Sequence, residues 1–115
     1  MEKKEFKAIL KRDPDLVERL VLQNLPHGSG IDYDWEIEVK PDRIVCDNSW
    51  HLMDEFGYYD CILPFRVTIY HDDVRVRFRD LNSYGHRKVR ESGLRPYLEE
   101  LFWEHGSHIL NIINA

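Results

Sequence analysis

Residues 65–80 read Phe65-Arg66-Val67-Thr68-Ile69-Tyr70-His71-Asp72-Asp73-Val74-Arg75-Val76-Arg77-Phe78-Arg79-Asp80. On both sides of His71-Asp72-Asp73, apolar and polar residues alternate with a period of two. That period marks a strand with one buried and one wet face. The short polar connection makes an antiparallel hairpin the natural pairing. Val74, Val76 and Phe78 take one side of the second strand, and Arg75, Arg77 and Arg79 the other. Pro64 lacks an amide hydrogen, so it is expected at an edge, a strand start or a bulge.

The alternation recurs upstream. Over Ile31–Lys40, Ile31, Tyr33, Trp35, Ile37 and Val39 share one side, and Asp32, Asp34, Glu36 and Glu38 the other. Pro41-Asp42 signals a turn into a shorter strand, Arg43–Asp47. Asn48-Ser49 reads as another turn and Trp50 to Phe56 as a third extended piece. Tyr58 to Tyr70 is the longest β-rich run.

Helical spacing brackets these strands. Phe6, Ile9 and Leu10 fit a helix over Lys3–Lys11. Asp13 before Pro14 is a helix start, because the carboxylate accepts from free amides and proline fits the first helical position. The stripe Leu16, Val17, Leu20 and Val21 carries that helix to about Asn24. Leu81 to Glu91 reads as a polar loop with a helical turn near His86–Arg90. Leu94, Tyr97, Leu98, Leu101 and Phe102 form the stripe of a last helix, capped near Ser92 or Arg95 and stopped at Gly106. Helix, strands, helix predicts an α+β fold: an antiparallel sheet of about four strands with N- and C-terminal helices packed on one face. The 115 residues form one domain, 1–115.

The formal net charge of −5 disfavours a general nucleic-acid binder. Cys46 and Cys61 lack zinc-type or redox-type spacing, and two free thiols in a reducing cytosol are the simplest reading. The charged N-terminus has no apolar run of the signal-peptide kind behind it, and the apolar tail Ile109–Ile113 is too short to span a bilayer. A cytoplasmic protein without membrane contact is expected.

The acidic and arginine strands admit a cation site and a phosphate site respectively. The plainer reading places both on the wet face of one sheet, as neighbours that neutralise each other. Pro26-His27-Gly28-Ser29-Gly30-Ile31-Asp32 fails as a nucleophile elbow, because His27 and Ile31 stand where glycines are needed. It fails as a phosphate loop because no Gly-Lys-Ser/Thr follows. A helix-to-strand connector is the plain reading, and a contact for a small ligand through His27, Ser29 and Asp32 the functional one.

Two motifs carry a resemblance. Leu25-Pro26-His27-Gly28-Ser29-Gly30-Ile31-Asp32 resembles the LPSGSGID segment of a family of small uncharacterised proteins from bacteria and their phages. Trp50-His51-Leu52-Met53-Asp54-Glu55-Phe56-Gly57-Tyr58-Tyr59-Asp60 is similar to that family's FHMMNEHGYYDG. His27 stands where serine is commoner, and Phe56 where histidine is. The resemblance implies a small α+β protein of bacterial or phage origin and brings no activity.

Of the six histidines, only His105 and His108 are closely spaced, and nothing nearby completes a zinc site. His51, Asp54, Tyr58, Tyr59 and Asp60 admit acid–base work, but packed, hydrogen-bonded tyrosines are the commoner reason for such a run. Trp103 and the tail Ile109–Ile113 suggest a surface for a partner or for a twofold homodimer, unless the tail folds back on its own core.

The sequence therefore predicts a protein-interaction module, with a protein partner or a second copy, no catalytic residues, no metal and no cofactor. One alternative is a ligand-binding or enzymatic domain using His27, Ser29, Asp32, Tyr58 and Asp60. Another is a nucleic-acid contact through Arg75, Arg77 and Arg79, joined by Arg87, Lys88 and Arg90.

Overall fold

Asp13-Pro14 divides the N-terminal helical stretch in two. The Asp13 carboxylate accepts from the Leu16 amide at 3.2 Å, and Pro14 opens the second helix. The computed structural model describes every residue except Ser29 and Tyr33. Its elements are α1 (Lys3–Arg12), α2 (Pro14–Asn24), β1 (Glu36–Val39), β2 (Ile44–Met53), β3 (Tyr59–Ile69), β4 (Val74–Phe78), α3 (Ser83–Ser92) and α4 (Leu94–Asn114). Phe6, Leu10, Val17 and Val21 are buried, whereas Leu16, placed in the α2 stripe, points to solvent.

The four strands form an antiparallel sheet in the order β1-β2-β3-β4. Register places Ile37, Cys46, Val67 and Val76 side by side in one row, and Val39, Ile44, Ile69 and Val74 in the next. These rows face the helices, so the expected α+β architecture stands, with both terminal helical segments on the apolar face. Trp35 belongs to the same core. Its ring lies edge-on to Phe65 at 5.9 Å and to Phe102 at 5.6 Å. No helix among the described residues is long and apolar enough to cross a membrane.

Four local expectations are corrected. The strand expected over Ile31–Lys40 is regular only at Glu36–Val39. Upstream, the Asp32 amide donates to Ser49 O at 3.1 Å and the Asn48 amide group donates to Asp32 O at 3.2 Å. The Trp35 indole N–H donates to Pro26 O at 3.0 Å. Side chains replace part of the strand ladder, and the segment becomes a strap along β2. Tyr33 lies outside the described residues.

Asn48-Ser49 is not a turn. It sits inside β2, which runs unbroken through the residues read as a separate third piece, and Asn48 is buried there because its amide bonds the strap. Leu81 to Glu91 contains a full helix, α3. Asn82 caps it by accepting from the Gly85 amide at 2.8 Å. With Gly85 and Val89 as its buried residues, α3 offers too few apolar positions for a stripe.

Gly106 does not stop the last helix. Helix α4 continues to Asn114, and Ile109 is fully buried, so the tail packs on its own core. Trp103 stays 58% exposed.

Pro64 lies within central strand β3, opposite Ser49. Its carbonyl accepts from the Arg79 amide at 2.9 Å, just beyond the end of β4. In a strand the N and C=O of one residue point to the same side, so the missing donor faces the place where pairing has already ended. Pro64 sits at a local edge after all.

Candidate functional site

Two rows of side chains cross the open face of the sheet. One runs Glu38, Val45, Thr68, Arg75, and the other Glu36, Asp47, Arg66, Arg77. The acidic strand and the arginine strand are therefore the two edges of the sheet. Two strands separate them, or about 14 Å at the usual strand spacing. The neighbourly pairing expected between them does not form. Asp47 of β2 is the neutralising carboxylate instead. It accepts from Arg66 Nε at 2.8 Å and Nη2 at 2.9 Å, and meets Arg79 Nη1 at 3.0 Å. The Arg66 hydrogen bonds, outweighing the cost of burial, hold the Asp47 carboxyl below its usual range. Asp73 holds Arg75 at 3.1 Å. Asp47 shares the open side of β2 with Val45, and only the strand order brings the arginines to it.

Beyond these rows β2 and β3 outrun the edge strands as a two-stranded arm. The strap supports the β2 side, where the His51 amide donates to Gly30 O at 2.6 Å and Ile31 bridges Trp50. Gly30 has φ +99°, and a Cβ there would lie 2.8 Å from the Trp50 ring. Gly30→Ala should lower stability by about 1–3 kcal/mol through backbone strain and ring displacement. Thermal unfolding checks this, and an unchanged midpoint would show that the close approach of Gly30 to Trp50 contributes nothing to stability.

On the β3 side Asp60 joins α3. It accepts from the Tyr84 hydroxyl and pairs with Lys88 at 3.2 Å. The Tyr84 hydrogen bond lowers the Asp60 pKa and raises that of Tyr84, so the phenol is held as a donor. That direction suits a structural latch and opposes an acid–base tyrosine.

The tip of the arm is a tight turn. The Asp54 carboxylate accepts from the amides of Phe56 and Tyr58, each at 2.9 Å, and the Asp54 amide donates to Tyr58 O at 2.7 Å. This ordered turn exposes apolar surface: Phe56 is 76% exposed and Tyr58 73%, beside exposed Met53, Tyr59 and Ile62.

The structure scatters the candidate ligand residues. His27 is exposed, with Nε2 3.4 Å from Leu22 O at the end of α2. Asp32 belongs to the strap, Tyr58 to the tip and Asp60 to the α3 latch. Ser29 lies outside the described residues. One pairing was not foreseen: His51 Nε2 lies 3.8 Å from Asp32 Oδ2. His105 Nδ1 lies 3.2 Å from Asn24 O, tying α4 to α2. Among the described residues no group of three or more His, Cys, Asp or Glu is arranged to hold a metal ion.

The cysteines stand apart. Cys46 pairs with Val67 and Cys61 with Leu52, six residues along the ladder or roughly 20 Å, far beyond disulfide reach. Burial pushes the Cys46 thiol up to about 12, which keeps it protonated and unreactive.

Comparison with protein-family models, with curated proteins and with solved structures finds no match to this chain.

Proposed function

We propose that this is a protein-interaction module whose contact element is the β2–β3 arm. One observation carries the reading: an ordered turn, stapled by Asp54, holds Phe56 and Tyr58 in solvent beside Met53, Tyr59 and Ile62. Exposed aromatic and methionine side chains on a rigid support are the composition of interface centres, and ordering them on contact costs little. Asp54 and Glu55 flank them, so the tip suits an apolar cleft with a basic rim. Two tips meeting about a twofold axis would oppose those carboxylates, which favours a different protein as the partner. The two thiols, far apart and one deeply buried, accord with a reducing cytoplasm. A bacterial or phage origin rests on the two sequence motifs alone.

A second reading has its own observation. A groove of about 560 Å³ between α1 and the β1–β2 turn is lined by Leu10, Pro14, Val39 and Pro41, with Lys7, Lys11 and Lys40 among them. It matches the tip in polarity and charge, so a second copy bound head to tail also fits.

The double variant Phe56→Ser/Tyr58→Ser tests both. Folding should be untouched, since both side chains are largely exposed. Affinity for the partner should fall by about 2 kcal/mol or more, the loss expected of central aromatic contacts. Quantitative capture from the encoding cell, wild type against variant, should lose one stoichiometric protein. Light scattering should give a monomer for both. Identical captured sets would sink the proposal, and a wild-type mass that grows with concentration while the variant's does not would select the second copy.

A further inference from the structure

Cross-strand register puts Arg77 directly opposite Arg66. Like charges so placed destabilise a sheet. Asp47 holds Arg66 through two hydrogen bonds, but Arg77, exposed on edge strand β4, makes no ion pair or hydrogen bond among the described residues.

Around Arg77 lies a basin of about 210 Å³, at the end of the sheet opposite the arm. Lys40, Arg43, Arg66, Tyr70, Arg75 and Arg77 line it, over a floor that includes buried Val45. No carboxylate among the described residues lines it. Glu38, Asp42, Asp47 and Asp73 stand at its rim, and each holds one of the other four cations. Glu99 and Glu100 of α4 share a separate hollow with Arg77 but form no ion pair with it among the described residues, so its charge is unpaired at the basin. The Asp47 pair uses Nε and Nη2 of Arg66 and the Asp73 pair uses Nε of Arg75, so further guanidinium donors remain. The Arg75 guanidinium lies 4.9 Å above the Tyr70 ring, which holds it in place.

We propose that this basin binds a compact, multiply charged oxyanion: a phosphoryl or diphosphoryl group carried by a small molecule. Planar guanidinium forks match the oxygens of phosphate, and four of them converge here with a lysine. Size argues for a compact group, because the basin is smaller than the roughly 300–1,000 Å³ of pockets that enclose whole ligands. The neighbouring surface argues against an extended polyanion. Asp32, Asp34 and Glu36 continue the same face towards the arm, around an Arg79 already held by Asp47. A nucleic-acid strand leaving the basin would cross that acidic strip. Arg79, grouped with Arg75 and Arg77 from the sequence, is therefore outside the site.

Titration calorimetry with sodium diphosphate at constant ionic strength tests this, with Arg77→Gln as the variant and Arg87→Gln on α3 as the control. Wild type and control should bind one diphosphate saturably. Arg77→Gln should bind about tenfold or more weakly, as expected for loss of a charge-assisted hydrogen bond. Without diphosphate its melting temperature should be equal or higher, because the opposition to Arg66 is gone. Unsaturable binding by wild type, or equal binding by wild type and Arg77→Gln, would overturn the proposal. So would a single-stranded oligonucleotide that binds more tightly than diphosphate, with affinity rising with length; that result would assign the face to nucleic acid.

Discussion

Gly106→Ala is expected to be the most damaging small substitution in the chain. Helix α4 passes so close to β4 that a Cβ at position 106 would lie 2.2 Å from Val74 Cγ2, with Cγ1 at 3.1 Å and Cβ at 3.2 Å. Valine has only χ1, which branching restricts, and its Cβ is itself close, so the methyl groups cannot swing clear at low cost. Helix or strand must shift, and overpacking of this kind costs about 1–3 kcal/mol, sometimes more. Alanine regains up to about 1 kcal/mol of helix propensity, which leaves a net loss. The wedge would open the contact on which Ile109 and the tail depend. Chemical denaturation gives the magnitude, and a double-mutant cycle gives the cause. In a Val74→Ala background the penalty of Gly106→Ala should largely disappear. Equal penalties in both backgrounds would mean that the close crossing is not the reason for glycine here.

The second large effect belongs to Asp47. Its side chain is only 19% exposed and holds two arginines on the open face. Asp47→Ala leaves Arg66 and Arg79 without their carboxylate, next to an Arg77 that already opposes Arg66. A loss of about 2–3 kcal/mol is expected from charged hydrogen bonds of this partial burial. The effect should depend on pH in one direction. The folded-state pKa of Asp47 is lowered, mainly by the Arg66 hydrogen bonds, so the stabilisation is complete above the ordinary value of 3.8. It is lost as pH falls from there through the folded value. Urea midpoints of wild type and Asp47→Ala should differ by a constant amount between about pH 5 and 7 and converge in acid. A gap of the same size at pH 3 would show that Asp47 acts by packing and not by charge.

These two residues mark the limit of what the sequence shows. Strand periodicity at Phe65–Phe78 gave the hairpin and its apolar side, because a period of two is a local property of the chain. The capped start at Asp13-Pro14 was local too. Asp47 and Gly106 were misjudged or passed over because their roles are set by distant residues. Asp47 acts through strand order, and Gly106 through a helix crossing a strand about thirty residues away in sequence. Helix α3 carries no apolar stripe in the sequence because its buried side is a glycine and one valine. The ligand residues proposed from the glycine segment and from Tyr58–Asp60 fall on separate features, Asp32 on the strap, Tyr58 on the tip and Asp60 on the helix latch, because residue type in a local segment does not report which element each side chain will meet.

The sequence by itself determined the α+β class, the apolar sides of the acidic strand, of Phe65–Tyr70 and of the arginine strand, and the presence of two opposite charge rows, all of which follow from the two side-chain periods along the backbone. Only the tertiary structure decided that those rows lie at opposite edges of the sheet, that Asp47 stands between them and that Arg77 is left over. Local periodicity says which side of a strand is apolar but not which strands are neighbours; the order β1-β2-β3-β4 puts two strands between the charged edges, with Trp35, Phe65 and Phe102 packed together on the apolar side.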